Sequence, residues 1–492
     1  MIGVIDVGTT AIKLAVYDGG NLVEYIKKPL SKHNPRPGWV ELLPDEIARI
    51  SREFADYAIE KHEVEAIGIT NQRATCILWD KKTKKAVMPA LAWQDTRTSE
   101  LAMKLNSDFR IRLGRSLGKI VAKFSEIIPT LKSGRRMKWL ITLSRLSLKP
   151  GHMSVNLRWM LDELGDKAGK YELKAGTIDS WVVYTLTGEL ATDYSNASAT
   201  GIYDLFYMRW SKTILEIIDV DDSILPDIKP SDSIFGEYRN VPISGVISDQ
   251  SASLFSLGCW EKGDLKMTNG TGSFIDLNVG DEPLASSRGL IPLIAWKIKG
   301  EICYMLEGII NFSGSAVELL KNLGLFKDVK ETPELAFNSG DDKILIVPSF
   351  TGLATPHYAE IPGIIYGISN VMKREDLVKA LLESLAFRAG EIIEIMRKEV
   401  PLNLTTIKCD GEMSSNDFFL QRIADVTNLR VERGSILYGS SFGANIIAGM
   451  GLGKWKKDFY ISTDKIFERK EDVSDKFERW KKLVKISKSI KL

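Results

Sequence analysis

Twice in this chain an apolar run of the length of one buried strand breaks at an acid. Ile2-Gly3-Val4-Ile5 ends at Asp6, and Pro242-Ile243-Ser244-Gly245-Val246-Ile247-Ser248 ends at Asp249. A strand covered on both faces reads as a continuous apolar run, so the acid marks where the chain reaches the lip of a sheet. After Asp6, Gly8 permits a tight reversal, and Thr9 and Thr10 offer hydroxyl and backbone N–H donors to an anion. A plain β-hairpin with an Asp-Val-Gly-Thr turn accounts for the same residues. Residues 236–248 restart the pattern and are expected to open a second domain, dividing the chain into 1–244 and 245–492. Two domains that open this way set two carboxylates across a cleft, an arrangement suited to a reaction between two bound substrates.

The rest of the chain alternates strands with long amphipathic helices, which argues for an α/β fold. Residues 13–17 and 22–27 read as a meander, 44–61 as a helix, and 66–70 as a buried strand entering Asn71-Gln72-Arg73. Residues 374–398 carry Leu377, Leu381, Leu385, Ala389, Ile392 and Met396 at helical spacing, a stripe that packs on a core. At 492 residues the chain exceeds one core. Its 66 basic and 64 acidic residues nearly cancel, so no global field directs it to nucleic acid or lipid. The chain opens on a strand with no basic leader, and no run of about 20 apolar residues occurs, so a soluble cytoplasmic protein is expected. Cys76, Cys259, Cys303 and Cys409 lack CxxC spacing, and only His33, His62, His152 and His357 are present. A disulfide framework, a zinc site or histidine metal chemistry is therefore not expected.

Two glycine-rich segments bear on phosphate binding. Gly449-Met450-Gly451-Leu452-Gly453-Lys454 has Ala448 and Trp455 where a P-loop needs Gly and Ser or Thr, and reads as a helix ending in glycine caps. Met267-Thr268-Asn269-Gly270-Thr271-Gly272-Ser273-Phe274 alternates Gly and Thr between strands, which lets backbone approach a phosphate or forms a hairpin on an Asn-Gly turn.

Taken together, the chain resembles the FGGY carbohydrate kinase family, and within it the glycerol kinases. The resemblance is carried by Ile5-Asp6-Val7-Gly8-Thr9-Thr10, Pro35-Arg36-Pro37-Gly38-Trp39-Val40-Glu41, Gly68-Ile69-Thr70-Asn71-Gln72-Arg73 and Trp93-Gln94-Asp95-Thr96-Arg97-Thr98. It continues through Gly176-Thr177-Ile178-Asp179-Ser180-Trp181, Thr192-Asp193-Tyr194-Ser195-Asn196-Ala197-Ser198, Asp249-Gln250, Asn269-Gly270-Thr271-Gly272, Phe350-Thr351-Gly352-Leu353 and Asp410-Gly411. Only about residues 105–160 match poorly. The resemblance implies two actin-like, ribonuclease-H-type domains with the active site between them. It also implies ATP-dependent phosphorylation of a terminal hydroxyl of a small polyol, glycerol giving glycerol 3-phosphate, in a family that often forms homodimers. Phosphoryl transfer needs positioning, a metal and an acceptor for the hydroxyl proton. Asp249 fits the general base and Asp6 the Mg²⁺ ligand, although either could be a turn or N-cap aspartate. Arg73, Gln250 and Asp249 fit substrate hydroxyls, with Trp93 and Phe274 as apolar walls; a surface ion pair and core aromatics are the alternative roles. Thr9, Thr10, Lys13, Thr271, Gly314, Gly411 and Asn416 stand at the family's phosphate and adenosine positions.

The chain also departs from that pattern. Glycerol kinases usually follow Asn-Gln-Arg with a Glu that accepts a polyol hydroxyl; here Ala74 stands there, and the missing hydrogen bond is worth about 0.5–1.5 kcal/mol. The Tyr of the family's Pro-Tyr-Phe-Ser segment falls on Gly151 when aligned by Trp159 and on Leu131 when aligned by Trp139. Asp410-Gly411-Glu412 has lost a second glycine, which bears on ATP affinity or base preference. A kinase for another polyol or a ketose is thus the alternative. A non-catalytic actin-like ATP-binding module is a third reading, one that would need neither Asp249-Gln250 nor Arg73.

The poorly matching stretch has its own character. Arg110, Arg112, Arg115, Lys119, Lys123, Lys132, Arg135, Arg136, Lys138, Arg145 and Lys149 face the single acid Glu126, interleaved with Leu113, Leu117, Ile120, Val121, Phe124, Ile127, Ile128, Trp139, Leu140 and Leu143. Residues 110–149 fit contact with an anionic membrane or an acidic partner, or an insertion docked on its own domain.

Overall fold

A computed structural model describes residues 1–128, 130, 134–340, 342–350, 352–457 and 459–490. Leu131, Lys132 and Thr351 lie outside them. The first sheet contains β1 (Ile2–Val7), β2 (Ala11–Asp18), β3 (Asn21–Pro29), β4 (Ala66–Asn71), β5 (Glu237–Tyr238) and β6 (Val241–Ser248), in the order β5-β6-β4-β1-β2-β3. Strands β1, β2 and β3 form the antiparallel meander, while β4 and β6 run parallel to β1. Every residue of β1 and β4 is buried, as their unbroken apolar runs require.

Val241–Ser248 does not open the second domain; it is an interior strand of the first sheet, paired with β4 from Ile243 to Ser248. A division at 244/245 cuts this strand in two. An apolar run ending in an acid reports burial and a sheet edge, and both hold for a late strand added to an existing sheet.

The second sheet begins at β7 (Leu265–Asn269) and β8 (Ser273–Gly280). It continues with β9 (Ile291–Ile298), β10 (Glu301–Ile310), β11 (Thr406–Asp410), β12 (Arg430–Gly434) and β13 (Thr463–Phe467), in the order β9-β10-β8-β7-β11-β12-β13. It repeats the first design: antiparallel β7, β8 and β10, then β11 and β12 parallel to β7.

Helix Pro44–His62 covers one face of the first sheet, with Pro at its start, Asp45 and Glu46 in the first turn and Lys61 and His62 in the last, each suited to the helix dipole. Helix Arg374–Glu399 carries the expected stripe and lies in the core of the second lobe. Helices Asp249–Ser256 and Gly439–Gly451 pack between the two sheets. Gly443 makes this contact possible, because a Cβ there would overlap the Ala252 carbonyl, and Cβ atoms at Gly68 and Gly245 would come within 2.8 and 2.6 Å of the same helix's backbone. Around these helices Ile2, Val4 and Ile247 of the first sheet share one apolar cluster with Phe255, Trp296, Met305, Phe442 and Ile446.

The basic stretch forms helices Phe109–Ile127 and Arg135–Leu143. The second docks: Lys138 pairs with Glu282 at 2.7 Å and Trp139 donates to Asp204 at 3.2 Å. Arg145 donates to the Ser287 carbonyl and Arg288 pairs with Glu126, so the insertion bridges to the second lobe.

Candidate active site

Strands β1, β4 and β6 end together. Val7 is in register with Asn71, and Asn71 with Ser248. The residues that follow, Thr9 and Thr10, Gln72 and Arg73, and Asp249 and Gln250, therefore leave the sheet at one edge, where crevices open in parallel α/β sheets. That edge is braced from beneath. Asp193 accepts the backbone N–H groups of Ser195 and Asn196 and the Ser231 hydroxyl, Ser195 Oγ accepts Ser248 N at 2.9 Å, and Asn196 bonds Asn71.

Asp6 is buried. Its Oδ2 accepts Lys13 Nζ at 2.9 Å and Ser440 Oγ at 3.2 Å, the latter from the helix of the second lobe. The adjacent Asp6 charge raises the Lys13 pKa. Asp249 begins its helix, and its Oδ1 accepts Gln250 N at 2.8 Å and lies 3.9 Å from Arg73 Nε. Burial pushes the Asp249 carboxyl above the usual range; Arg73 opposes the shift and Asp6 reinforces it.

Arg73 reaches across to the second sheet. It bonds Glu307 of β10 at 2.5 Å and stands 5.6 Å from the Phe274 ring centre. Burial raises the Glu307 pKa despite this partner. The arrangement is a buried pair between lobes rather than a surface one. Trp93 Nε1 donates to Gln72 Oε1 at 3.1 Å, which ties the aromatic to the same loop. Lys266 holds Gln250 Oε1 at 2.7 Å, while Gln250 Nε2 has no partner among the described residues. Asp249, Arg73, Gln250, Trp93 and Phe274 are thus brought together.

The nucleotide candidates divide. Thr9, half-buried, and Thr10, exposed, form the reversal between β1 and β2, closed by Gly8 N to Ala11 O at 3.0 Å, so the hairpin and the hydroxyl corner coexist. Thr271 stands exposed in the β7–β8 turn. Ser313 N and Ser315 N both donate to its carbonyl, and Gly314 N bonds Gly270 O. A Cβ on Gly314 would lie 2.8 Å from Gly270 O, and one on Gly411 would overlap Asn269 O. These glycines therefore pack on the turn. Asn416 caps its helix through Oδ1, which accepts Phe419 N, and its Nδ2 donates to Thr332.

Sequence reasoning missed Glu307 and Ser440, and put Lys149 in the basic stretch instead of in this site. Glu307 had a signal, a lone acid inside the apolar strand Ile302-Cys303-Tyr304-Met305-Leu306. Lys149 Nζ lies 3.4 Å from the Tyr358 ring centre. Of the two positions where the family's Tyr would fall, Leu131 lies outside the described residues and Gly151 has φ +83°, where a Cβ would overlap the Trp93 carbonyl.

Comparison with known proteins bears on this geometry. The N-terminal domain profile of the FGGY family of carbohydrate kinases matches residues 1–142 and 122–256, and the C-terminal domain profile matches 265–452. The chain belongs to the FGGY carbohydrate kinases. This FGGY kinase is 62% identical over 492 residues, all of both chains, to an uncharacterized sugar kinase of Archaeoglobus fulgidus. It is 34% identical to a glycerol kinase of Pediococcus pentosaceus, across 92% of this chain and 89% of that one. Its structure superposes on the Plasmodium falciparum glycerol kinase solved with ADP at a TM-score of 0.85 and 27% identity, covering 100% of this chain and 99% of that one. The two-lobed actin-like fold with the site between the lobes is the fold of this family.

Proposed function

We propose that this FGGY kinase transfers the γ-phosphoryl group of ATP to the terminal hydroxyl of a small polyol, glycerol being the first candidate because relatives over nearly the whole chain are glycerol kinases. The observation that carries the reading is the Asp249–Arg73 pair at the strand edge. The hydroxyl oxygen bonds to the γ-phosphorus as the bond from phosphorus to the bridging oxygen breaks, and Asp249 takes the hydroxyl proton. Arg73 and Gln250 Nε2 hydrogen-bond substrate hydroxyls, and Trp93 and Phe274 wall the carbon chain. Thr9, Thr10, Lys13 and the turn at Thr271, backed by Gly314 and Gly411, receive the phosphates.

Among the described residues no three His, Cys, Asp or Glu side chains converge as a metal cage. Lys13 and Ser440 both engage Asp6 Oδ2, which leaves Oδ1 as the oxygen that would hold a magnesium ion. When bound, such an ion neutralises phosphate charge.

Lys149 favours a second reading within the family. No acid pairs with it among the described residues, and burial lowers its pKa to about 8 while Glu307 opposes that shift. With Ala74 in place of the larger family side chain, this cation suits a longer substrate, a ketose or a sugar acid, whose far oxygens it would bind. ADP release measured over glycerol, longer polyols, ketopentoses and aldonates decides between the readings. Glycerol turning over best supports the first and a longer sugar the second. Release with none of them, in a protein that binds ATP, rejects both.

A further inference from the structure

Helix Phe109–Ile127 carries an apolar stripe that faces outward. Phe109, Leu113, Leu117, Ile120, Phe124 and Ile127 follow one another at intervals of three or four residues and so share one face. Each is between 45% and 72% exposed. The opposite face is anchored: Ile111, Gly118 and Ser125 are buried, and a Cβ on Gly118 would come within 2.5 Å of the Leu140 carbonyl. Asp108 caps the start through Arg110 N. The helix is therefore held rigidly against its neighbour with its larger apolar side chains turned away, the reverse of a helix that packs on a core.

Charge identifies what covers the stripe. Arg112, Lys119 and Lys123 are exposed on the adjoining face, and among the described residues no hydrogen bond or ion pair engages their side chains. The acids nearby are already spent, Glu126 on Arg288 and Asp108 on Arg110. A second copy of this helix would set one basic row against another with no acidic row to answer it. A layer of anionic headgroups answers both the basic row and the apolar stripe, the combination an in-plane amphipathic helix uses. No helix among the described residues is long and apolar enough to cross a membrane, so the contact is superficial. We propose that the Phe109–Ile127 face binds an anionic lipid surface. In helix Arg135–Leu143, which the sequence placed in the same basic stretch, Lys138 and Trp139 take no part, because they are docked.

Flotation of the full chain with vesicles tests this, using phosphatidylcholine alone and phosphatidylcholine mixed with phosphatidylglycerol. The mixed vesicles should bind the protein at least roughly tenfold better than the neutral ones at low salt, and roughly 0.5 M salt should release it. The triple variant Arg112→Glu, Lys119→Glu, Lys123→Glu and the double variant Ile120→Ser, Phe124→Ser should each lower partition roughly tenfold or more. Both should keep the wild-type melting temperature and the turnover measured without vesicles. Absence of flotation with the anionic vesicles overturns the proposal, as does equal binding to neutral ones. A wild-type dimer that the double variant dissociates, without vesicle binding, assigns the face to a second copy instead.

Discussion

Asp249 feels opposing influences on its proton: burial and Asp6 raise its pKa, and Arg73 lowers it. The acid limb of the rate profile should therefore lie above the ordinary carboxylate range, since the base must be ionised to accept a proton. Asp249→Asn should cost on the order of 10²-fold or more in turnover with ATP binding retained; turnover within about threefold of wild type would remove Asp249 from the base role. Arg73→Ala loses a charged hydrogen bond of about 1.5–3 kcal/mol, so kcat/KM should fall roughly 10–100-fold. The same change removes the charge opposing protonation of Asp249, which should move the acid limb to higher pH. His152 provides a stability test. Burial and Lys149 hold its pKa down to about 3, below the value of an unfolded histidine, so its contribution is complete above about pH 6.5 and declines as pH falls toward the folded value. Unfolding measurements should show a loss on the order of 2 kcal/mol between pH 7 and 5 that His152→Gln abolishes; an unchanged slope would exclude His152 as its source.

At the scale of elements, helix Gly439–Gly451 depends on backbone proximity. Gly443→Val forces side-chain atoms into the Ala252 carbonyl, and overpacking of this kind costs about 1–3 kcal/mol. The melting temperature should drop. Kinase activity should drop with it, because Ser440 on the same helix touches Asp6. This contact was not legible in the sequence, whereas much of the rest was. Continuous apolar runs identified β1 and β4, and the helical stripe from Leu377 to Met396 identified the long core helix. Asp6 and Asp249 stood out because each ends a buried strand, whereas Arg73 stood out only through the family resemblance. The same rule misplaced Val241–Ser248, since an apolar run reports that a strand is buried and carries nothing about which sheet it joins. Glu307 and Ser440 escaped because they meet Arg73 and Asp6 across separations of 234 and 434 residues, and no local spacing encodes such a meeting. Asn416 stands at the family's nucleotide position, and its capping bond to Phe419 N is visible only in the structure.

Across the whole molecule the lobes are bound by shared interior rather than by a linker alone. The cluster joining Ile2, Val4 and Ile247 to Phe255, Trp296, Phe442 and Ile446 belongs to both, and Lys138–Glu282 and Arg288–Glu126 tie the insertion to the second lobe. Secondary structure and tryptophan fluorescence should therefore melt together in one transition; two separated transitions would show that the lobes unfold independently. The same shared interior sets an order on synthesis. The first sheet is chemically complete once Ser248 has left the ribosome, yet the surface around Gly68 and Gly245 waits for a helix near residue 445. Through roughly two-fifths of translation that apolar surface has no native cover, so chaperone binding to stalled nascent chains should persist until the Gly439–Gly451 segment emerges.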